Sequence, residues 1–314
     1  MSQQPAIERY FSTDREDLRK LADIYRDLQP VVRNVNSSMG EMTLQLREDY
    51  FDIYYQGNAL AKVDRPRSHG KYVVHINNKF LVVRPWDAIP QPFEFDPGLS
   101  GLQPFCHPHG KDLYHQRFEV EATKLAWFFQ KGHLEKVASN IRRVNNGEEI
   151  TFEQLVMTDN PPRANFIIID RQVREHGNRS QMDLLALARD DPSGSFHFLI
   201  LELKLGRNKE LEGPVAEQLQ EYIARIRDHI GDYADCYEKN YAQKWDMGLF
   251  RPYADKAGLS SRINIARDPQ SVEGLVVVGG YSQFGASATK KLKASHPNVK
   301  VLSMARRLNP KEAL

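Results

Sequence analysis

The sequence of 314 residues has few cysteines and no long apolar segment. Its two cysteines, Cys106 and Cys236, lie far apart and neither belongs to a CxxC pair, which argues against a disulfide framework and against a cysteine zinc site. No apolar run approaches the roughly 20 residues that a membrane span needs. The first residues also lack a basic segment followed by an apolar one, so we expect no secretory signal and a cytoplasmic protein.

The chain has no strong excess of charge of either sign. Lys and Arg number 43 and Asp and Glu number 41, a formal net charge of +2, which is too small to indicate a nucleic-acid-binding protein without a local concentration of basic residues. The hydrophobic fraction of 41% and the charged fraction of 27% are typical of a globular protein. At this length we expect two domains.

The first third of the chain combines one helical pattern with several short β patterns. Residues 14–28 place apolar side chains at helical spacing, which predicts an amphipathic helix. Short runs rich in β-branched and aromatic residues, separated by turn residues, predict an antiparallel meander; these runs are 43–48, 50–55, 71–76 and 79–85. Residues 86–112 are dense in Pro and Gly and predict a linker, so we assign residues 1–110 to an N-terminal α+β domain.

The remaining residues, 111–314, alternate between helical and strand patterns. The predicted elements are a helix over 114–132, strands over 166–173, 182–189 and 196–205, a helix over 212–230, and strands over 272–280 and 300–305. This order, α-β-β-β-α-β with a final strand, predicts an α/β domain with a mixed central sheet flanked by helices.

The strand predicted over 196–205, FHFLILELKL, carries two charges where a buried strand should be apolar. Because alternate side chains of a strand share a face, Glu202 and Lys204 point to one side and the intervening leucines to the other. Both charges lie near the end of the strand, just before Gly206, where a crevice outside the sheet is the usual ligand site of open α/β folds. A functional site is therefore expected there.

Asp183 begins the preceding predicted strand, and a DDPSGS turn between the two strands is typical of a β-hairpin. The hairpin can bring the carboxylates of Asp183 and Glu202 together. Because neighbouring carboxylates repel, a divalent cation with oxygen ligands would stabilise the pair, and Mg²⁺ is the natural choice. Lys204 could then orient or deprotonate a water molecule and stabilise the charge that develops on a phosphate.

Asp183 and the Glu202-Leu203-Lys204 triplet resemble the core of the PD-(D/E)XK nuclease superfamily. Gln218 and Tyr222 reproduce the QxxxY element of the branch that includes RecB-type and phage exonucleases, and their i, i+4 spacing places both on one helix face. The chain departs from the motif at Met182, where the family name has proline. The resemblance covers about residues 115–305 and implies a restriction-endonuclease-like fold.

The resemblance also implies a glutamate on a helix upstream of these strands, and the chain offers Glu119 and Glu121. On the helix predicted over 114–132, Glu121 lies nearer than Glu119 to the apolar stripe that contains Phe118 and Leu125. We therefore assign this position to Glu121, with Glu119 as the alternative.

The resemblance implies a role for each residue of the site. Asp183, Glu202, Glu121 and the backbone carbonyl of Leu203 would bind Mg²⁺ or Mn²⁺. Lys204 would position or activate the attacking water, and Gln218 with Tyr222 would orient the site and the substrate backbone.

Basic residues bracket the predicted site in sequence and are candidates for contact with nucleic acid; they are Arg171, Arg174, Arg179, Arg207 and Lys209. The sequence thus predicts a Mg²⁺-dependent deoxyribonuclease with DNA as its partner. Two alternatives stay open, namely an inactive nucleic-acid-binding module with the nuclease fold and a nuclease that acts on RNA. The sequence also leaves open endonuclease or exonuclease action and pairing as a homodimer.

Overall fold

The computed structural model describes residues 5–68, 70–82, 95–105, 115–144, 147–177, 180–191, 193–280 and 283–304. The chain is a mixed α/β protein with two β-sheets flanked by helices, and it divides into two compact units. We call Glu8–Arg163 with Asp235–Ile263 the meander unit. We call Met1–Ile7, Ala164–Ala234 and Asn264–Leu314 the mixed-sheet unit.

The sheet of the meander unit consists of five antiparallel strands that are neighbours in chain order. The strands are β1 Met42–Leu46, β2 Tyr50–Tyr55, β3 Asn58–Asp64, β4 Tyr72–Asn77 and β5 His115–Val120. Alternate side chains of β4, namely Tyr72, Val74 and Ile76, are buried, as expected of a sheet with one face on the core.

The mixed-sheet unit contains the second sheet, in the order β10-β9-β8-β7-β6. Its strands are β6 Phe166–Val173, β7 Met182–Ala188, β8 His197–Leu205, β9 Glu273–Gly279 and β10 Lys300–Met304. Strands β6, β7 and β8 pair antiparallel, whereas β8, β9 and β10 pair parallel. The predicted mixed sheet is therefore confirmed, with all five strands in the predicted segments.

The described residues contain eight α-helices, and among them no helix is both long enough and apolar enough to cross a lipid bilayer. The helices are α1 Leu21–Ser37, α2 Ala122–Phe128, α3 Lys131–Val144, α4 Glu148–Asp159, α5 Pro214–Asp228, α6 Ile230–Met247, α7 Arg251–Ala257 and α8 Gln283–Ser295. Buried residues of α1, such as Ile24, Leu28 and Val31, belong to one apolar cluster with the buried side chains of the meander sheet.

Helix α5 confirms the helix predicted over residues 212–230 and covers strands β8 and β9. It begins with Pro214, whose fixed φ and missing N–H suit the first turn of a helix. Its buried stripe includes Leu219 and Tyr222. A Cβ on Gly274 of β9 would lie 2.8 Å from the side chains of Leu219 and Ile223, so the absence of a side chain there permits the close packing of helix on sheet.

The helix predicted over 114–132 is wrong in its first half, because residues 115–120 form β5. Phe118 and Val120 are buried while Arg117 is exposed, a period of two, and the segment pairs with β4 along its whole length. Strand β5 completes the first sheet, and the compact unit that contains this sheet extends to Arg163. The domain boundary near residue 110 stays a prediction.

Other predictions for the first third also need correction. The helix predicted over 14–28 begins at Leu21, and β3 was not predicted at all. The strand predicted over 79–85 is replaced at its start by a 3₁₀ turn, Asn78–Phe80, and residues 83–85 lie outside the described part of the chain. Of the predicted linker, residues 97–105 form a 3₁₀ segment, and Cys106 belongs to the residues that are not described.

Candidate active site

The antiparallel pairing of β7 with β8 brings Asp183 and Glu202 to the same face of the sheet. Leu184 pairs with Leu201, so the next residues in this register are Asp183 and Glu202. Residues directly opposite in an antiparallel pair share a face, and Lys204, two residues beyond Glu202, shares it as well. The hairpin predicted from the sequence thus places these three side chains together.

The carboxylate of Glu202 is almost completely enclosed, with only 1% of the residue exposed. Oε1 lies 2.9 Å from Lys204 Nζ, but the ammonium is not aligned for a hydrogen bond, and neither oxygen of Glu202 accepts one from a described residue. Burial and the neighbouring charge of Asp183 raise the pKa of Glu202 to about 8, against the opposing attraction of Lys204. Glu202 is therefore a buried acid that has an ion pair with Lys204 but no aligned hydrogen-bond donor among the described residues.

Asp183 is held in place by the backbone of the neighbouring strand. The amide N–H of Leu203 donates a hydrogen bond of 2.8 Å to Asp183 Oδ2. The contact fixes Asp183 against the segment that carries Glu202 and Lys204. It also shows that the peptide group between Glu202 and Leu203 borders the carboxylate of Asp183.

Lys204 lies between two carboxylates and is 8% exposed. Its Nζ is 2.9 Å from Glu202 Oε1 and 2.8 Å from Oε2 of Glu210. Burial alone would lower the pKa of Lys204, but the attraction of Glu202 and the close contact with Glu210 outweigh it and raise the pKa above the ordinary value of 10.5. Lys204 is therefore an ammonium ion at neutral pH.

Gln218 and Tyr222 form a hydrogen-bonded pair on α5. Gln218 Nε2 donates to the Tyr222 hydroxyl (2.7 Å), and this hydroxyl donates to the backbone carbonyl of Gln181 (2.8 Å). Gln181 precedes Asp183 by two residues, so the pair ties α5 to the start of β7. Burial raises the pKa of Tyr222, and the charges of Glu202 and Asp183 raise it further, whereas Gln218 lowers it.

The structure does not place Glu121 on the upstream helix that the resemblance implies. Glu121 is exposed and forms the N-cap of α2, and Glu119 lies on β5 opposite Val73. Both belong to the meander unit. In chain order the helix that directly precedes β6 is α4, which was not predicted, and its Glu153 is buried.

The predicted basic residues differ in exposure. Arg174, Arg207 and Lys209 are exposed, and Arg174 Nη2 donates to Gln181 Oε1 (2.9 Å) beside the start of β7. Because β7 begins where β8 ends, these cations flank the edge of the sheet that carries Asp183 and Glu202. Arg171 differs from them, because it is completely buried on β6, and its contact with nucleic acid stays a prediction. Arg179 lies outside the described residues.

Two residues of the site were missed by sequence reasoning. Glu210, the ion-pair partner of Lys204, lies in a 3₁₀ turn, Lys209–Glu212. Gln181 contributes a backbone carbonyl, which leaves no trace in a sequence. A signal for Glu210 was present, since Gly206 permits the chain to turn directly after β8. A Cβ at position 206 would lie 2.8 Å from the carbonyl oxygen of Gly280, so the close approach of the backbone there requires glycine. The N–H of Gly206 donates a hydrogen bond of 2.7 Å to the carbonyl oxygen of Gly279.

The site is rich in oxygen ligands and contains no sulfur. Carboxylates of Asp183 and Glu202 are the ligand type that Mg²⁺ and Mn²⁺ prefer, and the backbone of Leu203 lies beside them. The buried oxygens of Glu202, which accept no hydrogen bond from a described residue, fit a role as metal ligands.

Comparison of the chain with family models, with characterised proteins and with solved structures yields no match. An assignment of function therefore depends on the residues of the site and on their geometry.

Proposed function

We propose that this chain is a divalent-metal-dependent nuclease with a restriction-endonuclease-like fold that hydrolyses phosphodiester bonds of DNA. The observation that carries the proposal is Glu202, a buried carboxylate opposite Asp183 without an aligned hydrogen-bond donor among the described residues. When both carboxylates are ionised, one lysine does not balance their charge, and a cation that binds them stabilises the arrangement. The strand order of the mixed-sheet unit and the Gln218-Tyr222 pair support the same assignment.

Asp183 and Glu202 would hold Mg²⁺ or Mn²⁺, with the backbone carbonyl of Leu203 as the further ligand that the resemblance implies. A metal held there would supply Lewis acidity toward the phosphate and would lower the pKa of the attacking water. Glu121, which the resemblance adds to this set, lies at the N-cap position of α2 and stays a prediction.

Lys204 acts in this proposal as a fixed cation. Its raised pKa keeps the side chain protonated at neutral pH, so it orients the attacking water and stabilises negative charge that develops on the phosphate, rather than removing a proton. The ion pairs with Glu202 and Glu210 fix the direction of the ammonium before the substrate binds.

Nucleic acid would approach along the exposed cations beside the site. Arg174, Arg207 and Lys209 lie near the edge of the sheet at which β7 begins and β8 ends. Such residues bind phosphates without regard to sequence, and their contribution weakens as salt increases. RNA carries the same backbone charge, so an RNA-directed nuclease is the second form of the proposal.

Cleavage of DNA by the wild-type chain of 314 residues tests the proposal. We expect hydrolysis in Mg²⁺ or Mn²⁺ and none in excess chelator, because the carboxylate pair needs its cation. Linear, single-stranded and closed circular DNA are compared with single-stranded RNA. Faster cleavage of RNA than of DNA would identify RNA as the substrate. Resistance of closed circular DNA would identify an exonuclease. Binding without cleavage of any of these substrates would instead favour the inactive nucleic-acid-binding module.

Tyr222→Phe is expected to reduce both stability and cleavage. The change leaves the Gln181 carbonyl and the Gln218 amide without their partner, which costs about 1–3 kcal/mol of unfolding free energy, measured by urea denaturation. We also expect kcat to fall about 10-fold because the start of β7 loses its tie to α5.

The matched control is Tyr233→Phe. Tyr233 is equally buried, and its hydroxyl donates to Glu175 Oε1 (3.1 Å). We expect a similar loss of stability with kcat unchanged. An equal fall of kcat in both variants would mean that Tyr222 affects cleavage only through general stability.

A further inference from the structure

Lys204 has a second acidic partner that belongs neither to the carboxylate pair nor to the QxxxY element. Glu210 Oε2 lies 2.8 Å from Lys204 Nζ, slightly closer than Glu202 Oε1 at 2.9 Å. Glu210 follows Lys204 by six residues, on the far side of the Gly206 turn. The chain therefore returns to the lysine after β8 has ended.

The turn that carries Glu210 is anchored. Asn208 Oδ1 accepts a hydrogen bond from the Glu210 amide (2.9 Å), and the Glu210 carbonyl accepts one from the amide of Gly213 (3.2 Å). The next side chain, Leu211, is completely buried, and the turn packs against α5 and α8. The backbone of Glu210 is thus fixed by both neighbours, although half of its side chain is exposed.

The binding of a cation would affect the two contacts of Lys204 differently. Glu202 would direct its carboxylate to the metal, and the attraction between Glu202 and Lys204 would then be weakened by the positive ion. Glu210 would keep its contact, because it reaches Lys204 from the turn and not from the strand that carries Glu202. A lysine without such a partner would be repelled by the metal and would lose its fixed direction.

We propose that Glu210 is a positioning residue that holds the ammonium of Lys204 in the site while Glu202 binds the metal. The inference rests on the proposed nuclease function. It assigns to a residue outside the recognised motif the task of fixing the orientation of the cation that meets the phosphate.

Three variants of the chain of 314 residues test the inference: Glu210→Ala, Glu210→Gln and the control Glu212→Ala. Glu212 is an exposed acid of the same turn. We expect Glu210→Ala to lower kcat about 10-fold to 100-fold with the KM for DNA and the Mg²⁺ dependence within about twofold of the wild type, because the contact orients a side chain without binding either ligand. Glu210→Gln should recover most of the rate, since its amide oxygen still accepts from the ammonium. Glu212→Ala should cleave as the wild type does.

Wild-type kcat in Glu210→Ala, or an equal loss in Glu212→Ala, would overturn the inference and leave the nuclease assignment intact. Absence of cleavage by the wild type would overturn the assignment itself. In that case the contact is measured by thermal unfolding of the metal-free protein. Glu210→Ala should lower Tm in the wild-type background and should have no effect in the Lys204→Ala background, because neighbouring residues are coupled. Equal shifts in both backgrounds would contradict the contact.

Discussion

Replacing Lys204 by alanine is expected to lower kcat for DNA cleavage by about 10²-fold to 10³-fold, the usual cost of removing one fixed group that stabilises charge in a transition state. The KM for DNA should change little, because a buried ammonium acts on the charge that develops during reaction more than on the bound substrate. Raising the pH should not restore the rate, since Lys204 is proposed to act as a cation and not as a base.

Three measurements separate this effect from a loss of structure. Lys204→Ala leaves Glu202 without its counter-ion, so circular dichroism and thermal unfolding check the fold, and calorimetric titration with Mg²⁺ checks the metal site. The matched control is Lys300→Ala, in which the lysine of an exposed ion pair with Glu273 is removed from the same sheet. We expect that variant to cleave normally. Equal cleavage by the wild type and Lys204→Ala would contradict the assignment of the site.

The strands of the mixed sheet were predictable because each is a short apolar run between turn residues, and such runs depend on local sequence alone. The pairing of Asp183 with Glu202 followed from the same information. A period of two sets the face of each side chain, and the hairpin between β7 and β8 sets the register. The part of the site that lies on the consecutive strands β7 and β8 could therefore be predicted from the sequence.

Glu121 was assigned to a helix because the sequence around it fits two periods. Phe118 and Leu125 suit a helical stripe, but Phe118 and Val120 also suit one face of a strand. The segment forms a strand because it pairs with β4, although the predicted linker separates the two segments in the chain. Long-range pairing overrides local propensity and is not visible in the segment itself.

Arg171 and Glu210 show a further limit of sequence reasoning. A charged residue near a site is expected at the surface, yet Arg171 is buried on β6 and Glu210 reaches Lys204. Both positions depend on the tertiary structure, namely on the burial of β6 and on the packing of the Lys209–Glu212 turn against α5 and α8. Charge alone does not distinguish a phosphate contact from an internal partner.

Glu202→Gln is expected to abolish metal-dependent cleavage and to stabilise the metal-free protein at high pH. Loss of a metal ligand should lower kcat at least about 10³-fold, equivalent to about 4 kcal/mol, and should remove the binding of Mg²⁺ in calorimetry. The gain in stability has a different cause, because the amide has nearly the shape of the carboxylate and needs no counter-charge. Lys204 would retain Glu210 as its partner.

The pH dependence follows from the pKa of Glu202, which is about 8 in the folded protein and 4.5 as its ordinary value. Between these values the folded state binds more protons than the unfolded state. The contribution of Glu202 to the unfolding free energy is therefore fully present below pH 4.5 and is lost as the pH rises to 8. For a shift of this direction and size the loss is on the order of a few kcal/mol. The amide of Glu202→Gln does not titrate, so the variant should not lose stability in this way as the pH rises.

Urea denaturation of the metal-free proteins at pH 5 and pH 8.5 measures this difference. Wild type and Glu202→Gln should have similar unfolding free energies at pH 5, and the variant should be the more stable at pH 8.5. Glu273→Gln, which removes a partly exposed acid from β9, is the control and should show the same unfolding free energy as the wild type at both pH values. Addition of Mg²⁺ at pH 8.5 should stabilise the wild type and leave Glu202→Gln unchanged. A variant Glu202→Gln that is more stable at pH 8.5 but does not cleave DNA would support Glu202 as a metal ligand. A variant that is less stable at pH 8.5 would instead show that Glu202 stabilises the fold through its ion pair with Lys204.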